Sequence, residues 1–171
     1  MAIPSTTWRI TANTMGAQPI AQLESAAKHN VGQRVTAHDY AYGEIEAVYL
    51  PGVASVAAGD VVVFDEASGA TVRAVSGKRG PLAVALADVV AGQYGWFAVL
   101  GSVPVNIGSN LPSVGPAYLS TTAGEITGLA AEGEKIDGAT VVAVPSAGFA
   151  TVRLTRPSAN GNDGNAFEDR G

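Results

Sequence analysis

The sequence contains no cysteine, few aromatic residues and few charged ones. The absence of cysteine among 171 residues excludes disulfide bonds and thiolate metal sites. Ten Lys and Arg against fifteen Asp and Glu give a net charge of −5 without a basic block, so we expect no nucleic-acid partner. No stretch approaches the roughly 18 apolar residues of a membrane span, and the N-terminus lacks a signal-peptide pattern. We therefore expect a soluble product of the cytoplasm with no membrane partner.

The residues that are abundant favour an all-β fold. Hydrophobic residues make up 47% of the chain, mainly Val and Ala, and 21 Gly and 9 Pro separate them into short runs. Regularly spaced short strands are typical of a small β-barrel, a β-tulip or a sandwich, which we predict as one domain over residues 31–156. The predicted strands span 31–37, 43–50, 60–65, 70–75, 81–87, 94–100, 102–107, 116–120, 124–127, 139–144 and 149–155.

Two strands show which side chains should face the core. Alternation over residues 44–49 places Ile45, Ala47 and Tyr49 on one face and two glutamates on the other, which predicts a sheet with one solvent-exposed face. In the later strand Trp96 and Phe97 point to opposite faces, with Tyr94 on the side of Trp96. This pattern favours core packing over an exposed aromatic platform for a sugar or a protein partner.

The two halves of the predicted domain resemble each other when one is shifted by about 56 residues. Residues 56–64 then align with 113–120, and residues 91–97 align with 147–153. Each half reads as a turn, a strand, a short hairpin, a Val/Ala-rich strand and an Ala-Gly turn into a last strand. We interpret this as two similar β units, the alternative being chance similarity of Val/Ala/Gly-rich hairpins.

The two ends of the chain differ from this pattern. Residues 1–30 are polar with isolated large apolar side chains, so we predict an extended arm that includes a short helix over 19–30. Ordering such an arm costs about 1–2 kcal/mol of backbone entropy per residue, which indicates that it acts by binding a partner. Residues 157–171 predict a flexible tail, or a second docking arm anchored by Phe167. The residues predicted to bind the partner are Ile3, Trp8, Arg9, Ile10 and Leu23.

The pattern of polar residues predicts no catalytic, cofactor or metal site, and hence a protein that is not an enzyme. His29 and His38 have Glu24, Ser25, Asp39 and Glu44 nearby in sequence, but no spacing matches a zinc motif or a serine-hydrolase motif. Residues 160–168 resemble a calcium loop but lack its central glycine and flanking helices. The carboxylates at 65–66 and 132–137 lie in predicted loops, where solvated charge is the expected state.

Five stretches together carry a resemblance to a known family. They read Val-Gly-Gln-Arg-Val, Tyr-Gly-Glu-Ile-Glu-Ala-Val-Tyr, Val-Ala-Ala-Gly-Asp-Val-Val-Val-Phe-Asp, Gly-Pro-Leu-Ala-Val-Ala-Leu-Ala-Asp and Ala-Gly-Gln-Tyr-Gly-Trp-Phe-Ala-Val-Leu-Gly. Between residues 31 and 156 this order resembles the head decoration, or capsid cement, proteins of tailed bacteriophages. These motifs are compositional, and other β-rich phage proteins share them.

The resemblance implies a structural virion protein. Such a protein would bind the outer surface of the assembled phage head and clamp neighbouring subunits of the major capsid protein, using terminal arms. It would associate with itself, with a trimer favoured and a dimer as the other form. The alternatives are a head-fibre or tail component, a carbohydrate-binding β-sandwich, or a small hydrolase that uses His29 or His38.

Overall fold

The protein is built from β-strands, and the computed structural model describes residues 9–10, 19–108, 114–130, 134–146 and 148–160. These residues form no α-helix, so the predicted all-β class is confirmed. The strands predicted at 94–100 and 102–107 are one strand, and the others lie within a few residues of their expected limits. In chain order the strands are β1 (Arg9–Ile10), β2 (Arg34–Asp39), β3 (Gly43–Pro51), β4 (Val61–Phe64), β5 (Thr71–Arg73), β6 (Gly80–Ala85), β7 (Tyr94–Asn106), β8 (Gly115–Leu119), β9 (Ile126–Thr127), β10 (Lys135–Ser146) and β11 (Phe149–Ala159).

All these strands belong to one large antiparallel sheet. The hydrogen-bonded order is β1-β2-β3-β7-β6-β11-β10-β8-β9, with β4 and β5 attached through β6 and an additional pairing between β7 and β11. Among the described strands the order does not return to its start, so the sheet is not closed into a barrel. The arrangement is consistent with the sandwich or tulip-like form of the prediction.

Two apolar cores lie on opposite faces of β3 and β7. On β3, Tyr49 belongs to the first core and Val48 to the second. On β7, Trp96 belongs to the first core and Phe97 to the second, as predicted. The predicted solvent-exposed face of β3 ends at Glu46, because beyond it both faces of the strand are covered. Burial of both faces requires a continuous run of apolar residues, and this is what the later part of β3 provides.

The predicted duplication is visible in the strand topology. One unit consists of β4 to β7 and the second of β8 to β11, and each strand of the second unit starts 54 or 55 residues after its counterpart. In the first unit β4 pairs with β5 and β6, and β6 pairs with β7. In the second unit β8 pairs with β9 and β10, and β10 pairs with β11. The same order and pairing therefore occur twice.

The helix predicted over residues 19–30 is wrong. Ile20 is buried in the first core, and the backbone N–H and C=O of Glu24 both bond to Tyr94, at 3.1 and 2.8 Å. A helix would need those two backbone groups for bonds along its own axis. Residues 19–30 therefore pack onto the sheet rather than forming the end of an arm.

The predicted start of the tail is also wrong by three residues. Strand β11 continues to Ala159, which pairs with Ile136 of β10 and with Gly80 of β6. Ala159 is 1% exposed and belongs to the first core. The residues after 160, including Phe167, lie outside the described part of the chain.

A buried carboxylate of the first unit lies against a turn of the second unit. Asp60, just before β4, accepts hydrogen bonds from Arg73 Nε at 3.1 Å and from Asn106 Nδ2 at 2.8 Å. Gly124, in the turn of the second unit before β9, lies directly over this group, and a Cβ there would be 2.7 Å from Asp60 Cγ. The backbone of Gly124 forms hydrogen bonds with the backbone of Val61 and of Ala74, both of the first unit. Asp60 is 3% exposed, so these partners replace the water that the carboxylate loses.

We expect the substitution Asp60→Ala to destabilise the whole fold. It leaves the guanidinium of Arg73, whose side chain is 29% exposed, without its carboxylate, and it removes one of the two acceptors of Asn106 Nδ2, the other being the carbonyl oxygen of Ala58. Breaking such a pair costs on the order of 3 kcal/mol in the free energy of unfolding, measurable by urea denaturation. Glu66→Ala, at an exposed loop position, is the control and should change stability by less than about 0.5 kcal/mol. Equal effects of the two substitutions would contradict this role of Asp60.

Candidate functional site

The five residues predicted to bind a partner do not share one environment. Ile3 and Trp8 lie outside the described residues. Arg9 and Ile10 form β1 and pair with His38 and Ala37 at the edge of the sheet. Leu23 is half-buried and packs against the second core. Its apolar side chain therefore has an intramolecular partner, unlike the free side chain that the sequence indicated.

Glu24 and Tyr49 fix the segment that follows β1 onto the sheet. The Tyr49 hydroxyl donates a short hydrogen bond to Glu24 Oε2, and the backbone N–H of Lys28 donates to the same hydroxyl at 3.4 Å. Lys28 Nζ also lies 3.8 Å from Glu24 Oε1. Burial and the bond to Glu24 raise the pKa of Tyr49 to about 12. The pair is thus a structural anchor, in which the phenol keeps its proton at physiological pH.

An aromatic cluster surrounds this anchor. The Tyr49 ring lies 5.0 Å from Trp96 and 6.0 Å from Tyr94, and His29 packs edge-on against Tyr49 at 5.0 Å. Trp96 is 0% exposed, and its Nε1 finds no hydrogen-bond partner among the described residues. Together with Tyr118, which is half-buried on β8, these rings do not make the exposed aromatic row expected of a sugar-binding surface.

A rigid turn between β2 and β3 presents one fully exposed aromatic side chain. Asp39 Oδ1 accepts hydrogen bonds from the backbone N–H of Ala41 at 2.7 Å and of Tyr42 at 3.2 Å. Asp39 itself is 4% exposed, whereas Tyr40 is 96% exposed. Burial of Tyr42 and the charge of Asp39 raise the pKa of the Tyr42 phenol. The buried side chain of Asp39 therefore fixes the turn through hydrogen bonds, while the Tyr40 ring projects into solvent.

Tyr40 and β1 occupy the same end of the sheet. Arg9 pairs with His38, which is two residues from Tyr40, and the rings of His38 and Tyr40 meet edge-on at 6.1 Å. Arg9 is therefore held at this end of β2. The sequence carried a signal for the turn, since Asp at the end of a strand and Gly43 at its exit are turn residues. It did not indicate that the ring between them would be exposed.

Other charged groups of the described chain have structural partners. Asp65 Oδ1 accepts bonds from Ser68 N at 2.7 Å and Ala67 N at 3.0 Å, so it closes its own loop, and the bonds from Ser68 lower its pKa. Arg34 and Arg156 both reach Glu46, at 2.7 and 3.3 Å. Burial alone would raise the pKa of Glu46, but the bonds and charges of the two arginines hold it below its ordinary value. These contacts join β2, β3 and β11.

The two histidines contact different parts of β3, and neither belongs to that strand. His29 packs on Tyr49 and Trp96, whereas His38 is opposite Glu44. Across the described residues, no three His, Asp or Glu side chains come together as a group that could hold a metal ion. The first core contains an apolar void of about 10 Å³, and a groove of about 580 Å³ lies open on the surface beside Phe64 and Pro81.

Comparisons with known proteins give no relative. No protein-family model, no curated protein and no solved structure matches this chain. The resemblance to head decoration proteins therefore stays a prediction. In the part of the chain that the structure describes, no helix has the length and apolar character that a membrane crossing requires.

The buried phenol of Tyr49 should make the free energy of unfolding fall at alkaline pH. The folded state holds this proton more tightly than the unfolded chain, because the pKa is raised from 10.0 to about 12. The stabilisation is complete below about pH 10 and is lost as the pH rises through about 12. Urea unfolding over this range should show the decrease, and Tyr49→Phe should reduce it. Tyr118→Phe is the control, and an equal reduction by both substitutions would contradict the assignment.

Proposed function

We propose that this chain is a structural protein of the head of a tailed phage, which binds the outer surface of the assembled shell and stabilises it by clamping neighbouring capsid subunits. The observation that supports the proposal is that β1 and Tyr40 lie at the same end of the sheet. An arm and a rigid aromatic anchor at one end give two contacts that can engage different subunits of one lattice.

The physical properties of the Tyr40 turn suit a contact with a preformed protein surface. A tyrosine offers a large apolar area and a hydroxyl at a low cost in side-chain entropy, which is why it is frequent among residues that dominate binding energy. The two bonds to Asp39 Oδ1 fix the backbone before a partner arrives, so little backbone entropy remains to be lost.

The sequence of the arm suits the same role. Ile3 and Trp8 precede β1, and a single charged side chain, Arg9, occurs in residues 1–18. Apolar residues on a nearly uncharged arm can fill pockets on a partner, while β1 keeps the arm attached to the sheet through Arg9 and Ile10. Weak contacts of this kind add up when several copies bind one rigid lattice.

The carbohydrate-binding alternative has less support. It depended on an exposed row formed by Tyr94, Trp96 and Tyr118, and Trp96 is completely buried. Tyr94 is half-buried, with its ring stacked on that of Tyr49.

We expect Tyr40→Ala to weaken binding to phage heads that lack this protein. Loss of a dominant aromatic contact weakens binding on the order of 10-fold or more, as measured by co-sedimentation with purified heads. The thermal unfolding of the variant should stay at the wild-type temperature, because Tyr40 is 96% exposed. Val90→Ala, another exposed apolar position, is the control and should bind like the wild type.

Deletion of residues 2–8 should lower head binding further while leaving the fold intact. This deletion keeps β1, and it also keeps Ile20, which is part of the first core. The proposal would be overturned if the wild type, Tyr40→Ala and the deletion variant bound heads equally well. Absence of the protein from purified virions, tested by mass spectrometry, would do the same.

A further inference from the structure

The side-chain amide of Asn160 joins the end of β11 to β10. Asn160 Nδ2 donates hydrogen bonds to Asp137 Oδ2 and to Ser158 Oγ, both at 3.1 Å. Ala159, the residue before it, pairs with both β10 and β6 and is 1% exposed. The amide therefore lies where three strands meet, and it acts there as a hydrogen-bond donor to a carboxylate.

Asn160 is also the one asparagine of the chain that a glycine follows. Asparagine is chemically labile, because the backbone nitrogen of the next residue can attack its side-chain carbonyl carbon and close a succinimide ring. Glycine at that next position favours the attack, since it has no Cβ and can adopt the backbone conformations that the ring requires. Asn160 is exposed and lies one residue beyond the last paired residue of β11, so water can reach its side chain.

Asn106 provides an internal comparison. Its Nδ2 also donates to a carboxylate, that of Asp60, at 2.8 Å. The next residue is Ile107, whose side chain is branched at Cβ and whose backbone N–H is bonded to the carbonyl oxygen of Gly148 at 3.2 Å. The nitrogen that would have to attack is thus engaged in the fold, and we expect Asn106 to keep its amide.

We propose that Asn160 is a site of spontaneous deamidation and that the product loosens the end of β11 from β10. The backbone nitrogen of Gly161 forms a bond to Cγ of Asn160 while the bond from Cγ to Nδ2 breaks. Nδ2 leaves as ammonia, with the proton that the attacking nitrogen loses. Water then opens the succinimide at either of its carbonyl groups, which gives aspartate or isoaspartate at position 160.

The product cannot keep the contact with Asp137. An ionised carboxylate only accepts hydrogen bonds, so the donor to Asp137 Oδ2 is lost. Two carboxylates then face each other where the amide and the carboxylate were 3.1 Å apart, and like charges at such a distance repel. The end of β11, which includes the buried Ala159, is therefore the part of the sheet that the reaction weakens.

Peptide mapping of the aged protein tests the reaction. The full chain is incubated at mildly alkaline pH, below its unfolding temperature, and isoaspartate is located by mass spectrometry. Position 160 should convert while Asn106 keeps its amide, and Gly161→Ala should slow the conversion several-fold. An unchanged Asn160, equal conversion at Asn106, or an equal rate in Gly161→Ala would overturn the proposal.

Hydrogen exchange tests the structural consequence. Asn160→Asp reproduces one product, and it should speed the exchange of the backbone N–H groups at the end of β11 several-fold while β7 exchanges as in the wild type. The double variant Asp137→Asn, Asn160→Asp exchanges donor and acceptor, so it should restore the wild-type rate. Asn30→Asp adds the same charge at another exposed position and is the matched control, which should leave β11 unchanged.

Two results would contradict the loosening of β11. One is wild-type exchange in Asn160→Asp, and the other is fast exchange that the double variant does not correct. Both experiments use the isolated full chain, so their outcomes are independent of the proposed role on phage heads.

Discussion

Strand β7 is the element on which the positions of the other strands depend. Its first half is buried on both faces from Gly95 to Val99 and pairs with β3, while its second half pairs with β11. Between them Gly101 has a φ of +101°, and a Cβ there would be 2.5 Å from the carbonyl oxygen of Glu44. Only glycine allows β3 to approach so closely at the point where β7 stops pairing with β3 and begins to pair with β11. The two cores share this strand, because Trp96 lies in the first core and Phe97 in the second.

The parts of the fold that local patterns encode could be predicted from the sequence. Gly-delimited Val/Ala runs predicted the strands, and alternation placed Trp96 and Phe97 on opposite faces. The helix over 19–30 was wrong because the backbone of Glu24 pairs with Tyr94, which lies far along the chain. The end of β11 was missed for a similar reason, since Ala159 is ordered by strands whose contact with it no local pattern reveals.

The candidate site could be predicted only in part. The sequence predicted an arm from residues that lacked local partners, and of residues 1–18 the structure describes only β1, which pairs with β2. It did not reveal Tyr40, because an exposed tyrosine and a buried one look alike until the turn around Asp39 is known. The exposure of residues 142–144 on β10 could not be predicted for a different reason. A bulge changes which residues face outward without changing the composition of the strand, so strict alternation assigns Val142 and Ala143 to opposite faces.

The contacts around Asp60 also bear on how the protein responds to force or heat. Its partners come from β5, from the end of β7 and, through Gly124, from the turn of the second unit. Both side chains that bond to the carboxylate belong to the first unit, and the second unit contributes Gly124, whose backbone bonds to Val61 and Ala74. Separating the units would break these backbone bonds and remove the cover that Gly124 gives to the carboxylate. Partly unfolded forms therefore have a high free energy. The two units should unfold together in one cooperative transition rather than one after the other. We expect such a chain to lose its structure in a single step under mechanical load as well as on heating.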